Sequence, residues 1–297
     1  MKIKIKDIII STFSAEQINK VPTALLDKEI DLEEISDVKS FIEICNKETE
    51  NFKIAGEHRK SDWEKGWSGD GVYYSKNEEY NNLPYYFKKN THVRIGGKVY
   101  KDLCGFSEFD LLRTLQIIVF KTYIEMFDAK SIIEYGCGTG SNITFLKKHL
   151  SGYKFYGTDW VTSACEKLVE NKILQDSEVF TVDYFQKDTF ITPTEKSIVF
   201  TNASLEQTGA RYEDFMNYLF DSETVIGGVH IEPIRDLLSL DSELNVQSFE
   251  YEEKRGYLTG FYEFMKNSPK IELVLANDFG IGSKYISNYQ VIIWKKL

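Results

Sequence analysis

The chain has 297 residues, 42% hydrophobic and 28% charged, the composition of a globular α/β domain with an extension or of two small domains. With 36 Lys and Arg against 46 Asp and Glu the net charge is −10, which argues against a nucleic-acid substrate because phosphate neutralisation needs a basic face. The four cysteines (Cys45, Cys104, Cys137 and Cys165) make no CxxC pair, so neither a disulfide framework nor a zinc site is expected, and no stretch reaches the roughly 18 apolar residues of a membrane span.

Met1 to Ile10 (MKIKIKDIII) has a basic start, a short broken apolar run and no small-residue cleavage pattern. It reads as a strand or a disordered start rather than a signal peptide, and a cytoplasmic protein is the default. Residues 1 to about 60 read as a helical cap. Ser14 precedes the helix-forming AEQINK, and Leu32, Ile35, Val38, Phe41, Ile42 and Cys45 fall at helical spacing. Residues 61–106 combine Trp63, Trp67, Tyr73, Tyr74, Tyr85, Tyr86 and Phe87 with glycines and few aliphatics. Such a segment makes a poor continuous core. It is expected to be an irregular loop, serving as a lid or acceptor wall, or merely covering a sheet edge. Trp63, Trp67, Tyr86 and Phe87 are its candidate substrate contacts.

Phe106 to Phe127 is the strongest helical stretch, with Ser107 as a cap and a stripe of Leu111, Leu112, Leu115, Ile118, Val119, Tyr123 and Met126. From Lys130 strands and helices alternate. Strands are expected at Ser131–Tyr135, Lys154–Gly157, Glu178–Val182, Ser197–Thr201, Thr224–Ile231, Ile271–Ala276 and Tyr289–Trp294. Helices are expected at Ser141–Leu150, Val161–Glu170, Arg211–Phe220, after Pro233, and at Leu258–Asn267. That alternation predicts an open, doubly wound, mainly parallel sheet. The chain divides at this level into an extension, 1–105, and an α/β domain, 106–297.

Ser131 to Asn142 reads SIIEYGCGTGSN: an apolar strand, an acid, three glycines at alternate positions (Gly136, Gly138, Gly140) and a helix start. Strand, glycine turn and helix form a ligand-binding βα turn, in which glycine permits a sharp reversal, close backbone approach and tight packing. KFYGTDW then places Asp159 roughly 20 residues further on, at the end of the next strand, where an acid can bind ribose hydroxyls. The GxGxG spacing with Glu134 two residues ahead differs from the GxGxxG of a dinucleotide loop. It resembles motif I of class I S-adenosylmethionine-dependent methyltransferases. More loosely, WEKGW, LPYYF, EYGCGTGSN, GTDW, LEQ, HIEP and KRGYL together look like a group of bacterial methyltransferases assigned to sugars or small molecules.

The resemblance implies a Rossmann-like class I fold with seven strands, the last antiparallel. It also implies S-adenosylmethionine as cofactor and S-adenosylhomocysteine as product. Carried onto matching positions, it puts Glu134, Gly136, Gly138, Gly140, Asn142 and Asp159 at the cofactor. Trp160 would lie on the adenine, Asp183 and Tyr184 after the third strand near its amino group, and Asn202, Ala203 and Leu205 under the methionine end. Trp160 is equally a packing residue, and Asp183 equally a turn cap. Ligands of such sheets sit at the carboxyl ends of the strands. There GGVHIEPI sets His230 and Glu232 on one side of a strand, a candidate general base with an orienting carboxylate, although a half-buried structural histidine fits the pattern as well. Glu206 (with Gln207), Arg255 and Tyr257 are further acceptor-side candidates. No Asp, Glu and His cluster asks for a metal. The function expected is methyl transfer to a small acceptor, a hydroxyl of a sugar or secondary metabolite. N-methylation, or a non-catalytic subunit that binds S-adenosylmethionine for a partner, are the alternatives. No membrane partner is expected, and a homo-oligomer stays open.

Overall fold

The computed structural model describes residues 1–68, 72–73, 83–84 and 91–297. The chain starts in a small antiparallel sheet. Strand β1 (Lys2–Lys4) pairs with β2 (Glu29–Glu34), and three short helices between them turn Ile5, Ile9, Ile18 and Leu25 inward. Ser14 caps the second helix in a reciprocal box with Gln17. Leu32 belongs to β2, not to the helix that its spacing suggested. That helix is Val38–Glu48, capped by Asp37, whose carboxylate accepts the Ser40 N–H at 3.1 Å.

β3 (Val72–Tyr73) pairs with β4 (Leu83–Pro84), and β5 (His92–Ile95) with β6 (Lys98–Asp102). The β5–β6 hairpin turns on Gly96 and Gly97, both with positive φ, the two-residue connection that matches strand twist. This part of the stretch expected to be irregular is therefore regular. The extension is also not simply a helical cap, because it is built around a sheet.

Helix Ser107–Val119 follows, with every residue buried. Its first turn is held by Asp102, whose carboxylate accepts the Ser107 N–H and hydroxyl at 2.8 Å each, so Ser107 is not the cap. The polar residues between its apolar ones stay paired out of water: Asp110 with Lys28 at 2.8 Å, and Glu108 with the Tyr289 hydroxyl at 2.8 Å. The helix leaves regular geometry in a π turn, Phe120–Ile124, and Met126 lies beyond it, 72% exposed.

The main sheet then forms from β7 (Ser131–Tyr135), β8 (Lys154–Asp159), β9 (Val179–Thr181), β10 (Ser197–Asn202), β11 (Val225–Glu232), β12 (Ile271–Asp278) and, after β13 (Ile281–Gly282), β14 (Gln290–Lys296). Its order is β12–β14–β11–β10–β7–β8–β9, with β14 antiparallel to both neighbours. The chain thus has the seven-stranded, mainly parallel, Rossmann-like arrangement of the class I methyltransferase fold. The central strands are covered on both faces, which explains why β7, β10 and β11 read as near-continuous apolar runs. β13 joins β5 instead, so the small sheet runs β1–β2–β6–β5–β13 and takes its last strand from far along the chain. Helix Glu243–Arg255 ends at Gly256 in the left-handed region, placing Arg255 in its last turn. Among the described residues no helix is long and apolar enough to cross a membrane.

Candidate functional site

The strand order reverses between β7 and β10, and the glycine loop leaves β7 at that point. Gly136 has φ +72°, and a Cβ there would meet Ser204 Cβ at 2.4 Å, so the loop after β10 closes directly on it. Gly140 also has φ +72°, and a Cβ there would fall 2.3 Å from Leu168 Cδ2, inside the packed face of helix Thr162–Glu170. Gly140→Ala is expected to cost roughly 1–3 kcal/mol, from left-handed strain plus overpacking, as read by urea denaturation.

Asp159 is 4% exposed. Its Oδ2 accepts the Gly138 N–H at 2.9 Å and its Oδ1 the Val161 N–H at 3.2 Å. Burial pushes this carboxyl up to about 6 against the pull of those N–H groups. Each oxygen keeps a lone pair for a ligand hydroxyl. Below the loop Glu134 Oε1 accepts from Asn142 at 2.7 Å, and Gln116 Nε2 donates to the side-chain oxygens of Asn142 (3.0 Å) and Asn202 (3.2 Å). Glu134 Oε2 and Gln116 Oε1 are buried without a donor among the described residues. Burial lifts Glu134 to about 8, with the Asp159 charge adding to it. Gln116 comes from the helix before β7. Its sequence gave no signal, because a polar residue between apolar stripes reads as solvated.

At the end of β10 Ala203 has φ +49°, an unfavourable value for a residue with a Cβ. Ser204, Leu205 and Glu206 follow it, and their backbone N–H groups all donate to the Glu232 carboxylate at 3.0–3.2 Å. Burial and the neighbouring Glu206 push Glu232 upward, while the N–H groups oppose the shift. Glu232 therefore fixes the loop and has no oxygen to spare for an acceptor. His230 is the clear correction. It is fully buried, its Nδ1 lies 2.9 Å from Thr201 Oγ1, and its Nε2 accepts the Trp294 indole N–H at 2.9 Å. Burial lowers it to about 3. A neutral ring with both nitrogens engaged inside the core cannot serve as general base. The rule that selected it was the strand end, but His230 lies one pleat below Glu232 on the same face, where Phe261 and Trp294 cover it. Leu205 is likewise core, at 0% exposure.

Asp183 caps its own turn by accepting the Phe185 N–H at 3.0 Å, and it pairs with Lys60 at 2.8 Å. Lys60 opens helix Lys60–Ser68, which carries Trp63 and Trp67. The two indoles stack with centroids 5.7 Å apart, and Trp67 is the residue that a Cβ on Gly138 would touch, at 3.1 Å. Trp67 thus lies over the glycine loop, with Trp63 and Trp160 packed beside it. Trp160 also packs at 6.0 Å from Phe185. Tyr184 hydrogen-bonds Ser204 Oγ at 3.2 Å.

The glycine loop, Asp159, the three tryptophans and Tyr184 line one side of a cavity of about 1060 Å³. The other side is aromatic: Phe52, Tyr251, Tyr257 and Tyr285, with Tyr251 stacked on Tyr285 at 5.3 Å and edge-on to Tyr257 at 6.0 Å. Arg255 donates to the Tyr257 hydroxyl at 3.3 Å and to the Lys53 carbonyl. Phe52, Tyr251 and Tyr285 escaped the sequence reading because they come from three separate segments and carry no motif. Tyr86 and Phe87 lie outside the described residues. Burial raises both Tyr184, where the charges of Glu232, Asp159 and Glu206 add to it, and Tyr257, where the charge of Glu206 does. The volume is at the upper end of the roughly 300–1,000 Å³ of small-molecule sites, room for a cofactor and a second ligand together.

No family model matches the chain, and neither does any curated protein. Solved structures do. A SAM-dependent methyltransferase from Anabaena variabilis is 12% identical over 82% of this chain and 98% of its own, with a TM-score of 0.45. The plantazolicin methyltransferase BpumL, in complex with a pentazolic desmethylPZN analog and SAH, is 14% identical over 66% of this chain and 87% of its own, with a TM-score of 0.44. The mitomycin 7-O-methyltransferase MmcR is 10% identical over 64% of this chain and 57% of its own, with a TM-score of 0.41.

Proposed function

We propose that the chain is an S-adenosylmethionine-dependent methyltransferase acting on a small acceptor, a hydroxyl of a sugar or secondary metabolite. The observation that carries this reading is the contact of Asp159 Oδ2 with the Gly138 N–H at 2.9 Å, which joins the spaced acid and the GxGxG loop at one point of the cavity. The residues fit the cofactor in a second respect. Asn142 and Asn202 line the same cavity and are held from below by Glu134 and Gln116, so their side-chain amides can meet the cofactor's methionine end. S-adenosylmethionine, when bound, would supply an electrophilic methyl group carried on a positively charged sulfur.

The chain's own residues hold, orient and dry the site. Asp159 takes ribose hydroxyls, since an ionised carboxylate forms charge-assisted bonds. Trp63, Trp67 and Trp160 exclude water from the loop, and the Phe52, Tyr251, Tyr257 and Tyr285 wall offers flat faces to a sugar or ring. Arg255 orients Tyr257 in that wall. Calorimetric titration with S-adenosylmethionine, S-adenosylhomocysteine and NADH tests the reading. Micromolar binding of the first two and none of NADH is expected; NADH in their place, or no binding at all, refutes it.

A further inference from the structure

Three ionisable side chains gather where β10 and β11 end: His230, Glu232 and Glu206. Two of them are fully engaged. His230 spends both nitrogens on Thr201 and Trp294, and Glu232 spends its oxygens on the three backbone N–H groups of residues 204–206. Glu206 differs. It is 5% exposed and lines the cavity. Its Oε1 accepts from Gln207 Nε2 at 2.9 Å, but its Oε2 meets no donor among the described residues. Gln207 Oε1, on the adjoining residue of the same wall, also lacks one.

Two adjacent buried acceptors without a donor describe what must arrive: a group that donates hydrogen bonds. Their position selects which ligand brings it. Glu206 follows Ser204, the residue against Gly136, by two positions, and its backbone is pinned to Glu232 at 3.2 Å. It lines the same cavity as Gly136, Tyr257 and Arg255.

Resting on the cofactor reading above, we infer that Glu206 is the catalytic residue of the acceptor subsite. Its Oε2 receives the hydroxyl or amine to be methylated and takes the proton which that group sheds. The acceptor's O–H or N–H bond breaks, its proton passes to Oε2, and its electron pair is released for the new bond to carbon. Gln207 Oε1 holds a second donor of the same molecule. The acceptor class that fits is a small molecule with two neighbouring donor groups on a ring-like body, laid against the aromatic wall.

The test uses cofactor analogues and needs no acceptor. Sinefungin has a carbon in place of the sulfonium sulfur and an ammonium where the methyl stands, so it probes the transfer position directly. Calorimetry on the full chain is expected to show sinefungin preferred to S-adenosylhomocysteine. Glu206→Gln, which keeps the shape and the bond to Gln207, is expected to reduce that preference at least about 10-fold while leaving S-adenosylhomocysteine affinity within about twofold. Glu206→Asp, which keeps the charge but draws it back, is expected to lose part of the preference. An unchanged preference in Glu206→Gln overturns the inference, and so does an equal loss of both ligands, the mark of a structural role. Wild-type chain that binds neither analogue fails the cofactor reading itself, a different result, and removes the role of Glu206 with it.

Discussion

Asp159→Ala is expected to weaken S-adenosylmethionine binding by about 1.5–3 kcal/mol, the scale of hydrogen bonds to a charged group, measured by calorimetry. The alanine removes more than the ribose contact, because it leaves the Gly138 N–H without its partner and loosens the loop. Asp159→Asn separates the two effects. An amide oxygen can still accept the Gly138 N–H, but the charge is gone, so it should bind more tightly than the alanine variant and more weakly than wild type. The pH dependence has a definite sign. Burial raises the carboxyl to about 6, so the free protein carries it ionised above that value and protonated below. Affinity should therefore fall as the pH drops through about 6, and the fall should be missing in both variants. Affinity equal to wild type in Asp159→Ala would remove the residue from the site.

His230→Ala is expected to destabilise the fold by roughly 3–5 kcal/mol in denaturant titrations and to leave cofactor affinity of the folded protein intact. The ring fills a buried position, edge-on to Phe261 at 5.5 Å, and its loss strands the Trp294 N–H and the Thr201 hydroxyl. Linkage gives a second signature. The folded value is lowered to about 3 from an ordinary 6.5. Above pH 6.5 both states are neutral and the stabilisation is complete. Below it the unfolded chain gains a proton that the folded chain refuses, so stability drains away on acidification toward pH 3, at up to about 1.4 kcal/mol per pH unit. The gap between wild type and His230→Ala should narrow accordingly between pH 6.5 and 4.5. A constant gap would mean that the ring titrates normally and is not sealed in the core.

The sheet was legible because each of its strands announces itself within a few residues. β7, β10 and β11 are apolar on both faces, and Gly136, Asn202 and Glu232 mark where they end. The glycine loop and Asp159 were legible for the same reason, as local chemistry at fixed spacing. The acceptor side was not. Phe52, Tyr251 and Tyr285 meet only after the extension folds over the sheet, and no periodicity encodes that meeting. His230 failed for a sharper reason. Alternation puts His230 on the same face as Glu232 but does not tell at what depth that face is sealed, and here Trp294 of a neighbouring strand and Phe261 cover it one pleat below the loop. The β5–β6 hairpin, by contrast, was within reach: Gly96–Gly97 between alternating residues is a turn signal, obscured by the aromatic run before it.

Arg94 in β5 is 2% exposed, and its guanidinium donates to the carbonyls of Leu244 and Lys284, to the Ser287 hydroxyl and to the Gln247 side chain. Burial lowers it only to about 10, so it stays charged, and every one of these acceptors lies at least 150 residues downstream. During synthesis the extension therefore emerges first and finishes last. Its charge cannot be buried, nor its outer strand paired with β13, until the final third of the chain has left the ribosome.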